Sequence, residues 1–233
     1  MIRVLIGYDS VERVAFNVLS NSIQMRSSQP VSITPIMLSQ LKDIFTREAN
    51  PLQSTEFSFS RFLVPHLCDY QGWALFMDCD MLAQDDISKL WALRDDRYAV
   101  QLVKHKHVPS ETVKFLGHTQ TRYEKKNWSS VMLFNNAKCT ALSAHYVNTA
   151  SGLELHQFKW LHDDSLIGEL PSRWNHLVGY DKPCDKPGLV HFTIGGPYFS
   201  EYKGCEYSAE WHAERGSMLH CEQRARKSSS GKQ

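Results

Sequence analysis

Apolar residues along this chain follow two spacings that alternate at defined points. Residues 2–6 form a short apolar run broken only by Arg3, the pattern of a strand covered on both faces. Beyond Gly7-Tyr8-Asp9-Ser10 the period changes. Val11, Val14, Ala15, Val18, Leu19 and Ile23 recur at three and four residues and predict an amphipathic helix capped by Asp9 or Ser10. Alternation over 31–38 predicts a second strand, and strand, helix, strand at this spacing opens a parallel α/β sheet.

Residues 39–55 are polar, contain Pro51 and predict a surface excursion. Phe57, Arg61, Phe62, Val64 and Leu67 predict a short helix leading to Gly72, and the apolar run 73–77 a strand that ends in Asp78-Cys79-Asp80. Asp85-Asp86 can cap a helix with Ile87, Leu90 and Trp91 on one face. Further strands are expected at 98–103 and 131–134, a helix capped by Asn135-Asn136 over 137–146, and helices at 153–160 and 164–170. A last strand over 188–192 leads into Thr193-Ile194-Gly195-Gly196-Pro197. No repeat or linker divides the pattern, which reads as one domain over 1–215 with a tail over 216–233.

Composition narrows the setting. The 233 residues, 42% of them hydrophobic, suffice for one domain with a full core, and a net charge of +1 gives no overall footprint for nucleic acid. Arg224, Arg226, Lys227 and Lys232 make the Ser/Gly-rich tail basic, as in a flexible terminus or a membrane-surface contact. The opening apolar run is too short for a secretory signal, and no window approaches the roughly 18 apolar residues of a membrane span. Six scattered cysteines without a CxxC pair read as reduced thiols of a cytoplasmic protein.

The chemistry concentrates at Asp78-Cys79-Asp80. In extended backbone alternate side chains share a face, so Asp78 and Asp80 point one way and Cys79 the other. Two carboxylates at the carboxyl end of a buried strand repel, and a divalent cation resolves the repulsion while supplying a Lewis acid for phosphate oxygens. The carboxyl edge is also where open α/β sheets bind ligands. Alternatively, one Asp caps the following turn and the other is simply exposed.

The neighbourhood decides between these. Residues 54–67 with Arg61, 73–83 with the DxD, and 86–91 ending in Leu90-Trp91 resemble glycosyltransferase family 8. So, in the same order, do 131–135, then 162–175 with Asp163-Asp164, and His191-Phe192-Thr193-Ile194-Gly195-Gly196-Pro197. The resemblance implies a single GT-A domain, Rossmann-like, of the nucleotide-diphospho-sugar transferase type, with a mostly parallel central sheet. It implies transfer from a UDP-sugar to a saccharide or glycolipid acceptor with retention, aided by Mn²⁺ or Mg²⁺. By the same resemblance Gly7, Tyr8 and Asp9 face the uracil and ribose. Asp78, Asp80 and His191 are the metal ligands, and Arg61, Gly195 and Gly196 lie near the diphosphate or donor sugar. Asp163 and Asp164 stand beside the reacting carbon, where a carboxylate at 164 replaces the family's Gln.

Two departures concern the sugar end. Asn127-Trp128-Ser129-Ser130 stands where the family has Asn-x-Gly, and Pro197-Tyr198-Phe199 follows the glycines in place of a Lys and Pro-Trp. Segment 39–55 and the tip of 105–127 are candidates for loops that close over the donor. Two rival readings are a nucleotidyltransferase on a related sheet and a non-catalytic nucleotide-sugar-binding protein.

Overall fold

The computed structural model describes residues 1–48, 53–106 and 124–219. Its centre is a six-stranded sheet in the order β2-β1-β3-β6-β5-β7. The strands are β1 (Ile2–Gly7), β2 (Val31–Ile36), β3 (Trp73–Met77), β5 (Val100–Leu102), β6 (Val131–Asn135) and β7 (Ile167–Glu169). β1 pairs in parallel with β2 and β3, and β5 with β7, while β6 runs antiparallel between β3 and β5. The sheet is therefore mostly parallel, as expected. A second sheet, β4 (Met81–Ala83), β9 (Leu189–His191) and β8 (His176–Leu177), stands beside it.

The register brings distant segments to one edge. Ile6 lies opposite Met77 and Met77 opposite Val131, so Gly7-Tyr8-Asp9, Asp78 and Ser129-Ser130 leave the sheet together. In the small sheet Met81 lies opposite His191, which carries that histidine to the DxD across more than a hundred residues of sequence. Completely buried Phe57, Phe62, Phe76 and Phe134 pack in the main core, each worth about 1.5–3 kcal/mol relative to exposure.

Several local expectations are corrected. α1 spans Arg13–Arg26, and neither Asp9 nor Ser10 caps it; Glu12 is at the cap position without a side-chain bond. Asp9 instead accepts the Val11 amide (3.0 Å) on Oδ1 and the Glu56 amide (3.0 Å) on Oδ2, joining the first loop to the 54–57 turn. The helix expected over 137–146 divides into a 3-10 turn, Asn136–Lys138, and α4 (Ala144–Thr149), because Ser143 accepts the Tyr146 amide and starts a new helix. α5 (Gly152–His156) is set by a Ser151/Glu154 capping box and stops before Phe158, whose φ is 59°. Residues 164–170 are not a helix. After a 3-10 turn at Asp164–Leu166 the chain enters β7, where hydrogen bonds to β5 override the helical spacing of its apolar residues.

The short elements α2 (Val64–Leu67) and α3 (Ile87–Trp91) fall where the pattern places them, with Asp86 capping α3 through the Ser88 amide. The pattern does not predict α6 (Ser208–Leu219). This helix packs on α1 through an Arg26–Glu214 ion pair (2.7 Å) and runs past residue 216, where the sequence pattern begins a tail. Residues 220–233, with all the basic positions of that tail, lie outside the described residues. No described helix is long and apolar enough to cross a membrane.

Candidate active site

Asp78 and Asp80 leave β3 as the main-chain trace turns toward β4, and both are buried. The Asp78 amide donates to Ser130 O (2.9 Å) and the Phe192 amide to Asp80 O (2.9 Å), so the triplet is held between β6 and the strand that carries His191. His191 Nε2 lies 3.3 Å from Asp80 Oδ1. Ligand atoms of Asp78, Asp80 and His191 all fall within 4.8 Å of one another. Bonds of about 2.0–2.2 Å to a divalent ion put neighbouring ligand atoms roughly 3 Å apart and opposite ones just over 4 Å, so the group needs little closure to hold one. Two carboxylate oxygens and one imidazole nitrogen suit an ion of intermediate hardness.

Arg61 is not a surface residue. Its guanidinium is buried on the 3-10 turn Ser60–Leu63, above the rings of Phe57 (5.1 Å) and Phe76 (5.3 Å). Nη1 contacts Asp78 Oδ1 at 2.8 Å and donates to Ser129 O at 3.0 Å. It therefore offsets one carboxylate of the pair while fixing the 127–130 turn beside it.

One titratable group at the site has no motif to announce it. Glu12 is fully buried, accepts the Tyr198 hydroxyl at 2.5 Å and lies 3.8 Å from Cys79 Sγ. Burial first, then the Asp80 charge, hold its carboxyl up at about 8, with Asp9 and Asp78 adding to the rise and the Tyr198 hydrogen bond opposing it. Tyr198 itself is pushed well above the ordinary phenol range, by burial and then by Glu12. The site thus gathers the carboxyls of Asp9, Glu12, Asp78 and Asp80, and among the described residues the buried Arg61 guanidinium is paired with Asp78. That is an electrostatic arrangement a divalent cation relieves.

Residues 6–143 match the sequence profile of glycosyl transferase family 8. The chain is a family 8 glycosyltransferase. Protein CDI of Arabidopsis thaliana is 49% identical over 218 residues, covering 90% of this chain and 84% of that protein. Among solved structures, the bifunctional glycosyltransferase WbbM superposes with a TM-score of 0.65 at 14% identity, over 92% of this chain and 49% of that one. The galactosyltransferase LgtC, in complex with donor and acceptor sugar analogs, gives 0.61 at 10% identity over 95% and 98%. GlyE of Streptococcus pneumoniae TIGR4 gives 0.61 at 14% identity over 92% and 60%. At these identities the likeness shows a shared GT-A fold. Family membership sets aside the nucleotidyltransferase and the non-catalytic readings.

Other expected site residues of this family 8 enzyme occupy distinct settings. Tyr8 packs edge-on against Phe16 (5.5 Å) at the exit of β1, next to Asp9. A side chain at Gly7 would overlap the Phe57 ring, and side chains at Gly195 and Gly196 the rings of Tyr202 and Tyr198. The Gly195 amide already donates to Phe192 O (2.9 Å) within its turn. All three glycines thus have a packing reason of their own.

Asp163 and Asp164 are exposed. Asp163 accepts the Ser165 amide (2.6 Å), and hydrogen bonding from the Ser165 hydroxyl first, then from that amide, lowers its carboxyl. Asp164 meets Lys125 Nζ with both oxygens at 2.7 Å. Lys125 also donates to Gln157 O (3.0 Å) and lies 5.7 Å from the Trp128 ring, and both Lys125 and Asn127 have left-handed backbone. The Asp164 carboxylate is therefore charge-compensated by Lys125, two residues before the 127–130 turn.

Of the expected closing loops, residues 44–47 are clamped to α4. The Thr46 and Arg47 amides donate to Asn148 Oδ1, and Arg47 Nη1 to Val147 O and Ala150 O. Residues 49–52 and 107–123 lie outside the described residues.

Proposed function

We propose that this glycosyltransferase moves a hexose from a UDP-sugar to a hydroxyl of a saccharide or glycolipid acceptor, with retention of configuration. A divalent ion, Mn²⁺ or Mg²⁺, would be held by Asp78, Asp80 and His191. The observation that carries this reading is the convergence of those three buried ligands at the carboxyl edge of the sheet. When bound, the ion supplies Lewis-acid stabilisation to the departing diphosphate.

The chain's own residues divide the remaining work. Tyr8 and Asp9, at the end of β1, face the nucleoside, with Asp9 held by two backbone amides. Arg61 fixes Asp78 and the Ser129 carbonyl, which sets the distance between the diphosphate end and the sugar end. Gly195 and Gly196 let the main chain run close beneath the phosphates, with the Tyr198 and Tyr202 rings filling the space behind. At the sugar end Asp164, paired with Lys125, offers a fixed and partly neutralised carboxylate to the oxocarbenium-like centre, and Asp163 shapes its turn. The buried free thiols Cys68, Cys79 and Cys139 support the cytoplasm as the compartment.

The test is a calorimetric screen of nucleotide sugars with and without Mn²⁺, followed by hydrolysis assays on each hit. A UDP-sugar that binds only with metal and is slowly hydrolysed supports the reading. If no UDP-sugar binds in the presence of Mn²⁺, it is lost.

A further inference from the structure

The imidazole of His191 has two nitrogens, and only the one without a proton can bind a metal. Which one that is depends on what the other nitrogen meets. Nε2 faces Asp80, and Nδ1 lies 3.0 Å from Asn175 Oδ1. Asn175 is fully buried at the end of the 3-10 turn Ser172–Asn175, directly before β8. β8 pairs with β9 so that Leu177 lies opposite His191.

The protons of this cluster follow from one another. Ser130 Oγ donates its only proton to Asn127 O (2.7 Å). It can therefore only accept from Asn175, whose Nδ2 lies 2.8 Å away and also reaches Asn127 O at 3.4 Å. The amide nitrogen thus faces Ser130 and the amide oxygen faces His191. An amide oxygen accepts and never donates, so the proton between them sits on Nδ1. In the neutral ring Nε2 then carries the lone pair, aimed at Asp80. Ser130 O in turn accepts the Asp78 amide, so the chain His191–Asn175–Ser130 ends on the main chain of Asp78, the first residue of the triplet.

We propose that Asn175 is a positioning residue of the metal centre. It fixes the orientation and tautomer of His191, and through Ser130 it couples that ligand to Asp78. The proposal rests on the metal-site reading above. Its consequence is a split between ligand and positioner: Asn175 sets how well Nε2 is presented without touching the ion.

The experiment uses the full chain and Mn²⁺ alone. ¹⁵N-edited NMR of the metal-free protein reads the His191 tautomer, and calorimetry reads Mn²⁺ affinity. The wild type should show the Nδ1–H form. Asn175→Ala should lose that signature and bind Mn²⁺ about 10–100-fold more weakly. Asn175→Asp keeps the oxygen that accepts from Nδ1 and should restore both readouts. Ser130→Ala, a milder change, frees the amide to rotate and should weaken binding less than Asn175→Ala. A neutral ring with its proton on Nε2 in the wild type overturns the proposal, as does unchanged affinity in Ser130→Ala should Asn175→Ala fail to fold. His191→Ala separates the two levels. If it binds Mn²⁺ like the wild type, the metal-site reading itself fails; if it does not bind but Asn175→Ala does normally, only the positioning role is lost.

Discussion

Replacing Glu12 by Gln should make the metal-free protein more stable at high pH and leave it little changed at low pH. The unfolded chain releases the Glu12 proton near the ordinary value of 4.5, whereas the folded chain keeps it up to about 8. Between those values folding takes up a proton, so stability is full below 4.5 and falls as pH rises toward 8. At 1.36 kcal/mol per pH unit, that interval corresponds to a loss of about 5 kcal/mol, an upper figure for a carboxyl this deeply buried. The glutamine side chain keeps the size and the oxygen that accepts the Tyr198 hydroxyl but has no proton to lose. Urea unfolding, followed by the fluorescence of the six tryptophans at pH 5, 6, 7 and 8 in the presence of a chelator, measures both proteins. The stability difference in favour of Glu12→Gln should grow by several kcal/mol across that range. Saturating Mn²⁺ should flatten the wild-type slope, because a cation beside Asp78 and Asp80 removes part of what raises Glu12. A difference that stays constant from pH 5 to 8 would refute the reasoning, since Glu12 would then be charged in the folded state throughout.

Three further outcomes are expected. Asp80→Asn should abolish metal-dependent UDP-sugar binding by calorimetry; wild-type affinity would remove Asp80 from the site. Asp164→Asn should bind donor nearly normally and turn over about a hundredfold more slowly, as when one general acid–base or electrostatic contact at a reacting centre is removed; full turnover in steady-state assays would place Asp164 outside the chemistry. Gly7→Ala should lower stability by about 1–3 kcal/mol, because the new methyl overlaps the Phe57 ring in a filled core; an unchanged thermal midpoint would contradict that packing.

The parts of this molecule that can be read from the sequence are those whose signal is local. β1, broken only by Arg3, and β3 and β6 are apolar runs, and the DxD follows one of them directly. β4 and β8 have three and two residues, too few to show a period, so the small sheet that delivers His191 is invisible even though His191 itself is not. Residues 164–170 carry helical spacing, but pairing with β5 decides their form. Glu12 reads locally as a polar residue at a helix start, and its burial depends on Tyr198, 186 positions away. Asn175 likewise gains its meaning only from Ser130 and His191. The sequence signals that could have pointed to Glu12 are its place just after a ligand-edge loop and its nearness in sequence to Asp9.

The pairing of β4 with β9 also orders how the segments around Asp78 and Asp80 come together during synthesis. All six strands of the central sheet lie before residue 170, so the nascent chain can complete that sheet while residues 189–191 are still to come. Until they arrive, Asp78 and Asp80 have no imidazole opposite them, and the loop carrying Tyr198 cannot close over Glu12. A chain interrupted at 188 would keep the central sheet but lack His191. Under the proposed metal site, cation binding is thereby reserved for chains whose small sheet has formed.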